Sequence, residues 1–195
     1  YWGSSALTAG RYHFDFTMAF DREVPLLPVF VWFYILAFPF WAVGYLLAAR
    51  RGKDMFYRFV ATDLTIHFIC FICFILIPTT NVRPEIAGNT LSEKILALVY
   101  SLDGGNSPSN LFPSIHCYVS WMCWKGVEGS EKVPKWYQRF SLVFAILIII
   151  STQVLKQHYI VDAAAALLLV EFFWRFYQKG QRHKWVVHVF AHKKK

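Results

Sequence analysis

The run VFVWFYILAFPFWAVGYLLAA, residues 29–49, contains no charged side chain in 21 positions. A helix needs about 20 apolar residues to cross the hydrocarbon core of a bilayer, so this stretch takes the chain out of the soluble class. Working outward from it, Phe56–Ile77 reads as a second span, with Asp63 and His67 embedded in it. Phe140–Leu155 reads as a third and Tyr159–Tyr177 as a fourth, while Pro113–Trp124 is apolar but short. Composition agrees. Of the 195 residues, 56% are hydrophobic, 19% aromatic and only 16% charged, where a soluble domain carries about a quarter charged residues. The net charge of +8 would suit a nucleic-acid binder. The charges, however, fall between the apolar runs, as topology determinants do, rather than along one solvated face. The expected partner is the lipid bilayer, and no nucleic acid.

Fifteen of the 20 lysines and arginines lie in three clusters, Arg50 to Arg58, Lys125 to Arg139 and Arg175 to Lys195. The positive-inside rule puts all three on the cytoplasmic side. Pro78–Phe112 then faces outside, and the short run Pro113–Trp124 must cross. The first residues come out on the outer side, without the basic-then-apolar pattern of a signal peptide, which implies a further helix upstream. The expected fold is all-α, a polytopic transmembrane helical bundle with a six-helix core and five spans in this chain. It forms a single integral-membrane domain over 1–195. Residues 1–28 form an outer interfacial segment with Trp2, Tyr12, Phe14, Phe16 and Phe20 among charges. Residues 29–178 form the helical core, and 179–195 a basic cytoplasmic tail. Nothing in the sequence speaks to oligomeric state.

The sidedness argument, made from charge alone, gathers Arg83, His116, Lys156, His158 and Asp162 at one membrane face. Ionisable groups at membrane depth are costly, and their concentration points to chemistry. His158 and Asp162 are four apart, so on a helix they share a face. An aspartate that accepts one imidazole proton fixes the tautomer and frees the other nitrogen to attack. His116 could protonate a leaving alkoxide, and Arg83 could hold phosphate oxygens bidentately. The plainer alternative for His158 and Asp162 is a pair that staples two helices. No cluster of potential ligands at this face has convincing metal spacing, so neither metal nor cofactor is expected. Cys70, Cys73, Cys117 and Cys123 lie in apolar runs and read as buried spectators.

Asn81-Val82-Arg83-Pro84, Pro113-Ser114-Ile115-His116 and Ser151-x6-His158-x3-Asp162 resemble, in order and separation, the three signature motifs of the type-2 phosphatidic acid phosphatase superfamily, over about residues 29–178. The resemblance implies metal-independent catalysis. His158 would be the nucleophile that becomes a phosphohistidine, Asp162 its orienter, His116 the acid, and Arg83 and Ser114 phosphate ligands. Two positions depart from the phosphatase pattern, since Leu76 and Thr152 stand where that pattern has lysine and arginine. Lys156 is the nearby cation that could substitute. Phe112-Pro-Ser-Ile-His116 with Gln157-His-Tyr-Ile-Val-Asp162 is more similar to the inositol phosphorylceramide synthase branch, whose members pass a phosphodiester headgroup to a lipid alcohol. Charge points the same way. A phosphodiester carries one negative charge and a monoester close to two, so a pocket with two fewer cations suits the diester. The expected substrate is a phospholipid or lipid phosphate, and a lipid phosphate phosphatase releasing phosphate to water is the alternative.

Three further signals are weaker. Asp63 and His67 read as a buried hydrogen-bonded pair, with a proton path or substrate contact as alternatives. Asp103-Gly-Gly-Asn106 followed by Ser107-Pro108 is turn-forming and could cover the site or merely connect, above a short interfacial helix at Leu91–Leu102. Lys193–Lys195 reads as a topology signal. Two rival classes remain open, a transporter using the histidines as proton relays and a catalytically dead scaffold. The first predicts internal repeats, and this chain has none.

Overall fold

The computed structural model describes residues 2–105 and 108–191. Its helices are α1 (Trp2–Thr8), α2 (Ala19–Glu23), α3 (Val31–Ala49), α4 (Lys53–Leu76), α5 (Leu91–Leu102), α6 (Ile115–Val127), α7 (Lys135–Val154), α8 (Ile160–Gln178) and α9 (Lys184–Ala191). A 3₁₀ turn, Pro28–Phe30, leads into α3. The fold is helical as expected, apart from a pair of two-residue parallel strands, β1 (Phe14–Asp15) and β2 (Thr79–Thr80). Pro28–Ala49, Lys53–Leu76 and Lys135–Val154 are long and apolar enough to cross a membrane. By contrast, α8 carries Asp162, Glu171 and Arg175, and α6 has 13 residues, so length and composition alone pick out three of the five expected spans among the described residues. Helices α4 and α7 begin earlier than their apolar runs because their first turns are charged or polar, Lys53-Asp54 and Lys135-Trp-Tyr-Gln-Arg139.

The short helix is the centre of the bundle. α6 packs against α3, α4, α7 and α8, and Cys117, Tyr118, Met122, Cys123 and Val127 are buried along it. Two glycines permit the close approach. A Cβ on Gly44 of α3 would lie 2.6 Å from Cys123 Sγ, and one on Gly126 would lie 2.9 Å from the Phe59 ring. Thirteen residues rise only about 20 Å. The irregular chain before α6, Phe112–Ser114, is packed in protein, whereas Glu128 and Gly129 after it are exposed.

The N-terminal segment folds back over one end of this bundle. β1 pairs with β2 in the register Phe14–Thr79, Asp15–Thr80, and Phe14 N donates to Pro78 O at 2.8 Å. Asp21 is buried, and its Oδ1 accepts from Ile160 N at 2.9 Å. At the other end of the bundle α9 docks on α4 through buried Val186 and through His183 Nε2, 2.9 Å from Asp54 Oδ1. Lys193–Lys195 lie outside the described residues. Among the described residues Asp63 and His67 each bond a tyrosine rather than one another. Tyr45 Oη donates to Asp63 Oδ1 at 2.7 Å, and the Tyr118 hydroxyl hydrogen-bonds His67 Nδ1.

Candidate active site

The site is built where α6 and α8 begin. Ser114 caps α6, its Oγ accepting from Cys117 N at 3.3 Å, and its own N–H donates to Asp162 O at 3.3 Å. The start of one helix is thereby tied to the start of the other. Thr79 Oγ1 accepts from Leu111 N and Phe112 N, both at 3.0 Å, and fixes the approach to α6. The backbone N–H groups that open α6 make this end attractive to an anion.

His158 lies in the turn between α7 and α8, not on the helix. Gln157 N and His158 N both donate to Thr152 O, at 2.9 and 3.0 Å, which closes the end of α7. Lys156 in that turn takes φ +53°, a left-handed conformation that a side chain disfavours and that marks an over-determined segment. The shared helix face expected for His158 and Asp162 is therefore corrected. Asp162 is the third residue of α8, and its Oδ2 accepts from Tyr159 N at 2.9 Å while standing 3.5 Å from His158 Nδ1. The spacing of four brings them together through capping geometry, since a carboxylate at this position reaches back over the helix start. His158 is 7% exposed and Asp162 is 3% exposed. The histidine's Nδ1 has no hydrogen-bond partner, and catalytic contacts of this kind often tighten only around substrate.

His116, in the first turn of α6, is held by aromatic rings. Tyr34 stacks on it at 4.2 Å between centroids and 19° between planes, with Trp41 at 5.1 Å and Phe38 edge-on at 5.9 Å. Its Nε2 is buried without a partner, and its ring centre is 6.1 Å from that of His158, close enough for both imidazoles to reach one bound group. Tyr34, Phe38 and Trp41 lie on one face of α3, at spacings of four and three, a signal the sequence contained but an all-apolar helix concealed.

Arg83 is fully engaged on one edge. Nη1 donates to Asp103 O and Gly105 O, both at 3.1 Å, and Nη2 to Asp103 Oδ2 at 2.5 Å and Gln157 Oε1 at 2.6 Å. The guanidinium also lies 4.7 Å over the Tyr100 ring, and Nε is unpartnered. Asp103 and Gln157 are site residues that the sequence reading did not assign. Residues 106 and 107 of the turn above the site lie outside the described residues, but its flanks, Asp103 and Asn110, both border the cavity. Lys156 is not brought to this group. Its Nζ donates to Asp21 O at 2.6 Å and Val24 O at 2.5 Å, and burial lowers its pKa against the opposing pull of Asp21. At the two departure positions, Leu76 is 63% exposed and Thr152 is buried with Oγ1 3.6 Å from Cys117 Sγ.

His116 and His158 open into a cavity of about 420 Å³ between α3 and α5. Tyr34, Ile35, Phe38, Trp41, Val99, Leu102 and Ile115 form most of its wall, and Asp103, Asn110 and the two histidines are its polar lining. Among the described residues no group of three or more His, Cys, Asp or Glu side chains stands where it could hold a metal ion. The family model described as the PAP2 superfamily matches residues 10–175. No curated protein and no solved structure matches the chain.

Proposed function

Because the chain belongs to the PAP2 superfamily, we propose that it is an integral-membrane lipid phosphotransferase that works through a covalent histidine intermediate. His158 Nε2 attacks phosphorus, while Asp162 takes the Nδ1 proton in a hydrogen bond and so supports the developing imidazolium. The bond from phosphorus to the lipid oxygen breaks, and His116 gives that oxygen its proton. A lipid alcohol then enters, His116 takes its proton back from the incoming hydroxyl, and the new P–O bond releases His158. The Nε–H of Arg83, its one donor not already engaged, and the N–H groups at the start of α6, with Ser114 as cap, hold the non-bridging oxygens. In this scheme Lys156 clamps the N-terminal segment onto the site rather than binding phosphate.

One observation carries the reading. Two imidazoles, His158 buried and His116 half-buried, stand 6.1 Å apart in the wall of a cavity that is otherwise mostly apolar. That shape suits a phosphoester with a long hydrocarbon chain. Two features favour a phosphodiester passed to an alcohol, as in the inositol phosphorylceramide synthase-like branch. The one guanidinium at the site is already paired with Asp103, which leaves little positive charge for a dianionic monoester. His158, Asp162 and Ser114 are also buried, which disfavours water as the acceptor. The scheme takes α6 and α8 as crossing the membrane too, with the histidines on the extracytoplasmic side, as the basic clusters require.

The test is to incubate purified protein with phospholipids labelled at phosphorus, with and without ceramide or diacylglycerol, and to identify the products. A labelled headgroup on the added alcohol supports the transferase, whereas free labelled phosphate supports the phosphatase. No product of either kind would defeat both.

A further inference from the structure

Two hollows run along the lipid-facing side of α8 and share a wall. One, of about 420 Å³, lies at the end remote from His158 and is ringed by Arg175, Lys179 and Arg182 over Phe172 and Phe176. The other, of about 400 Å³, lies between α4 and α8 and is lined only by apolar residues and Cys73, ending at Phe112 and Pro113. Leu168 and Phe172 line both, so the two form one trough with a basic mouth. From Ala165 to Arg175 the helix rises about 15 Å, close to half the hydrocarbon thickness of a bilayer, or one leaflet.

Two of the three cations at the mouth are not consumed by the fold. Glu171, the acid in the lining, accepts from Trp121 Nε1 at 2.9 Å and pairs with Lys125 at 3.1 Å and Arg175 at 3.4 Å. Lys179 and Arg182 make no ion pair among the described residues. The Arg182 guanidinium lies 4.3 Å over the Phe176 ring, a posture that leaves its N–H edge facing outward. A cationic rim above an apolar trough is complementary to a lipid bearing net negative charge. A zwitterionic lipid would bring its own ammonium against the same three cations.

We propose that this trough binds one anionic phospholipid from the leaflet opposite the histidines, phosphate on Arg175, Lys179 and Arg182, acyl chain along Leu168 and Phe172 towards Cys73. The site is on a different flank from the cavity between α3 and α5, and the inference rests on the helices spanning a bilayer, not on the catalytic scheme. The lipid holds the seam between α4 and α8 closed.

Thermal unfolding of the full chain in neutral detergent tests it without reference to activity. Phosphatidylglycerol should raise Tm by about 5 °C once it is well above its Kd, and phosphatidylcholine and soluble glycerol phosphate should not. The triple variant R175Q/K179Q/R182Q should keep the lipid-free Tm and lose the shift. If the triple variant does not fold, Arg182→Gln alone should weaken the apparent affinity for phosphatidylglycerol about tenfold. Equal shifts with both lipids, a shift reproduced by glycerol phosphate, one that survives in the triple variant, or an unchanged affinity in Arg182→Gln would each overturn the proposal. Survival in the triple variant would place the lipid in the other cavity.

Discussion

The two ends of the bundle treat buried polar atoms differently. At the histidine end, Asn81 Oδ1, Arg83 Nε, His116 Nε2, Gln157 Nε2 and His158 Nδ1 are all buried without a partner. At the basic end, Lys125 meets both Glu128 and Glu171, and Arg58 donates to Asp54 and to the carbonyls of Tyr177 and Gln178 at 2.7 and 2.8 Å. His183 Nδ1 and, seven residues into α7, Ser141 Oγ are the exceptions there. A buried unsatisfied group costs about 1–3 kcal/mol, and a fold that can satisfy such groups at one end has no structural reason to leave them open at the other. In the proposed scheme the open valences are where the ligand is received. The paired ones mark where the fold is held.

Substitutions at the two ends should therefore separate activity from stability. The largest loss is expected for His158→Ala, which should abolish turnover while the protein still unfolds cooperatively, measured by product formation and thermal denaturation. Retained turnover would remove the nucleophile from the scheme. Asp162→Asn should cost roughly 10³–10⁴ in kcat, by analogy with neutralising a triad aspartate, because an amide still caps α8 but no longer fixes the imidazole tautomer. His116→Ala should lose about 10²–10⁴ on a lipid substrate but much less on an aryl phosphate, whose leaving group needs little protonation. Equal losses on both would contradict its role as acid. Lys125→Ala at the other end inverts the pattern. It should lower stability by about 1–3 kcal/mol and leave kcat/KM within about twofold. A larger effect on kinetics than on Tm would blur the contrast between the ends.

Much of the fold was legible from local signals. Helix α5 spans Leu91–Leu102 as read, because Thr90 and Glu93 form a capping box, with Thr90 Oγ1 accepting from Glu93 N at 3.2 Å, and the Asp103 turn ends it. The motif histidines and Asp162 meet as the spacing suggested, although through a turn rather than a helix face. What stayed hidden depends on long-range placement. Asp103 and Gln157 reach Arg83 across 20 and 74 positions of sequence, which no local pattern reports. The Tyr34, Phe38 and Trp41 face was masked because, in a membrane helix, lipid-facing and bundle-facing residues are both apolar and periodicity loses its contrast. The N-terminal segment read as merely interfacial because its anchors are distant in sequence, with Leu27 N on Val154 O at 3.0 Å, Lys156 on two carbonyls and Asp21 Oδ1 accepting from Ile160 N. The family match beginning at residue 10 takes in that segment, which the motif resemblance left out.

The most direct measurement of the central claim is to trap the covalent intermediate. Protein mixed with a phospholipid labelled at phosphorus, quenched in alkali and digested should carry label on the peptide containing His158, stable to base and lost in acid. The label should chase into product when a lipid alcohol is added, and His158→Ala should not label at all. Turnover in wild-type protein with no label at His158, or the same label in His158→Ala, would contradict the account.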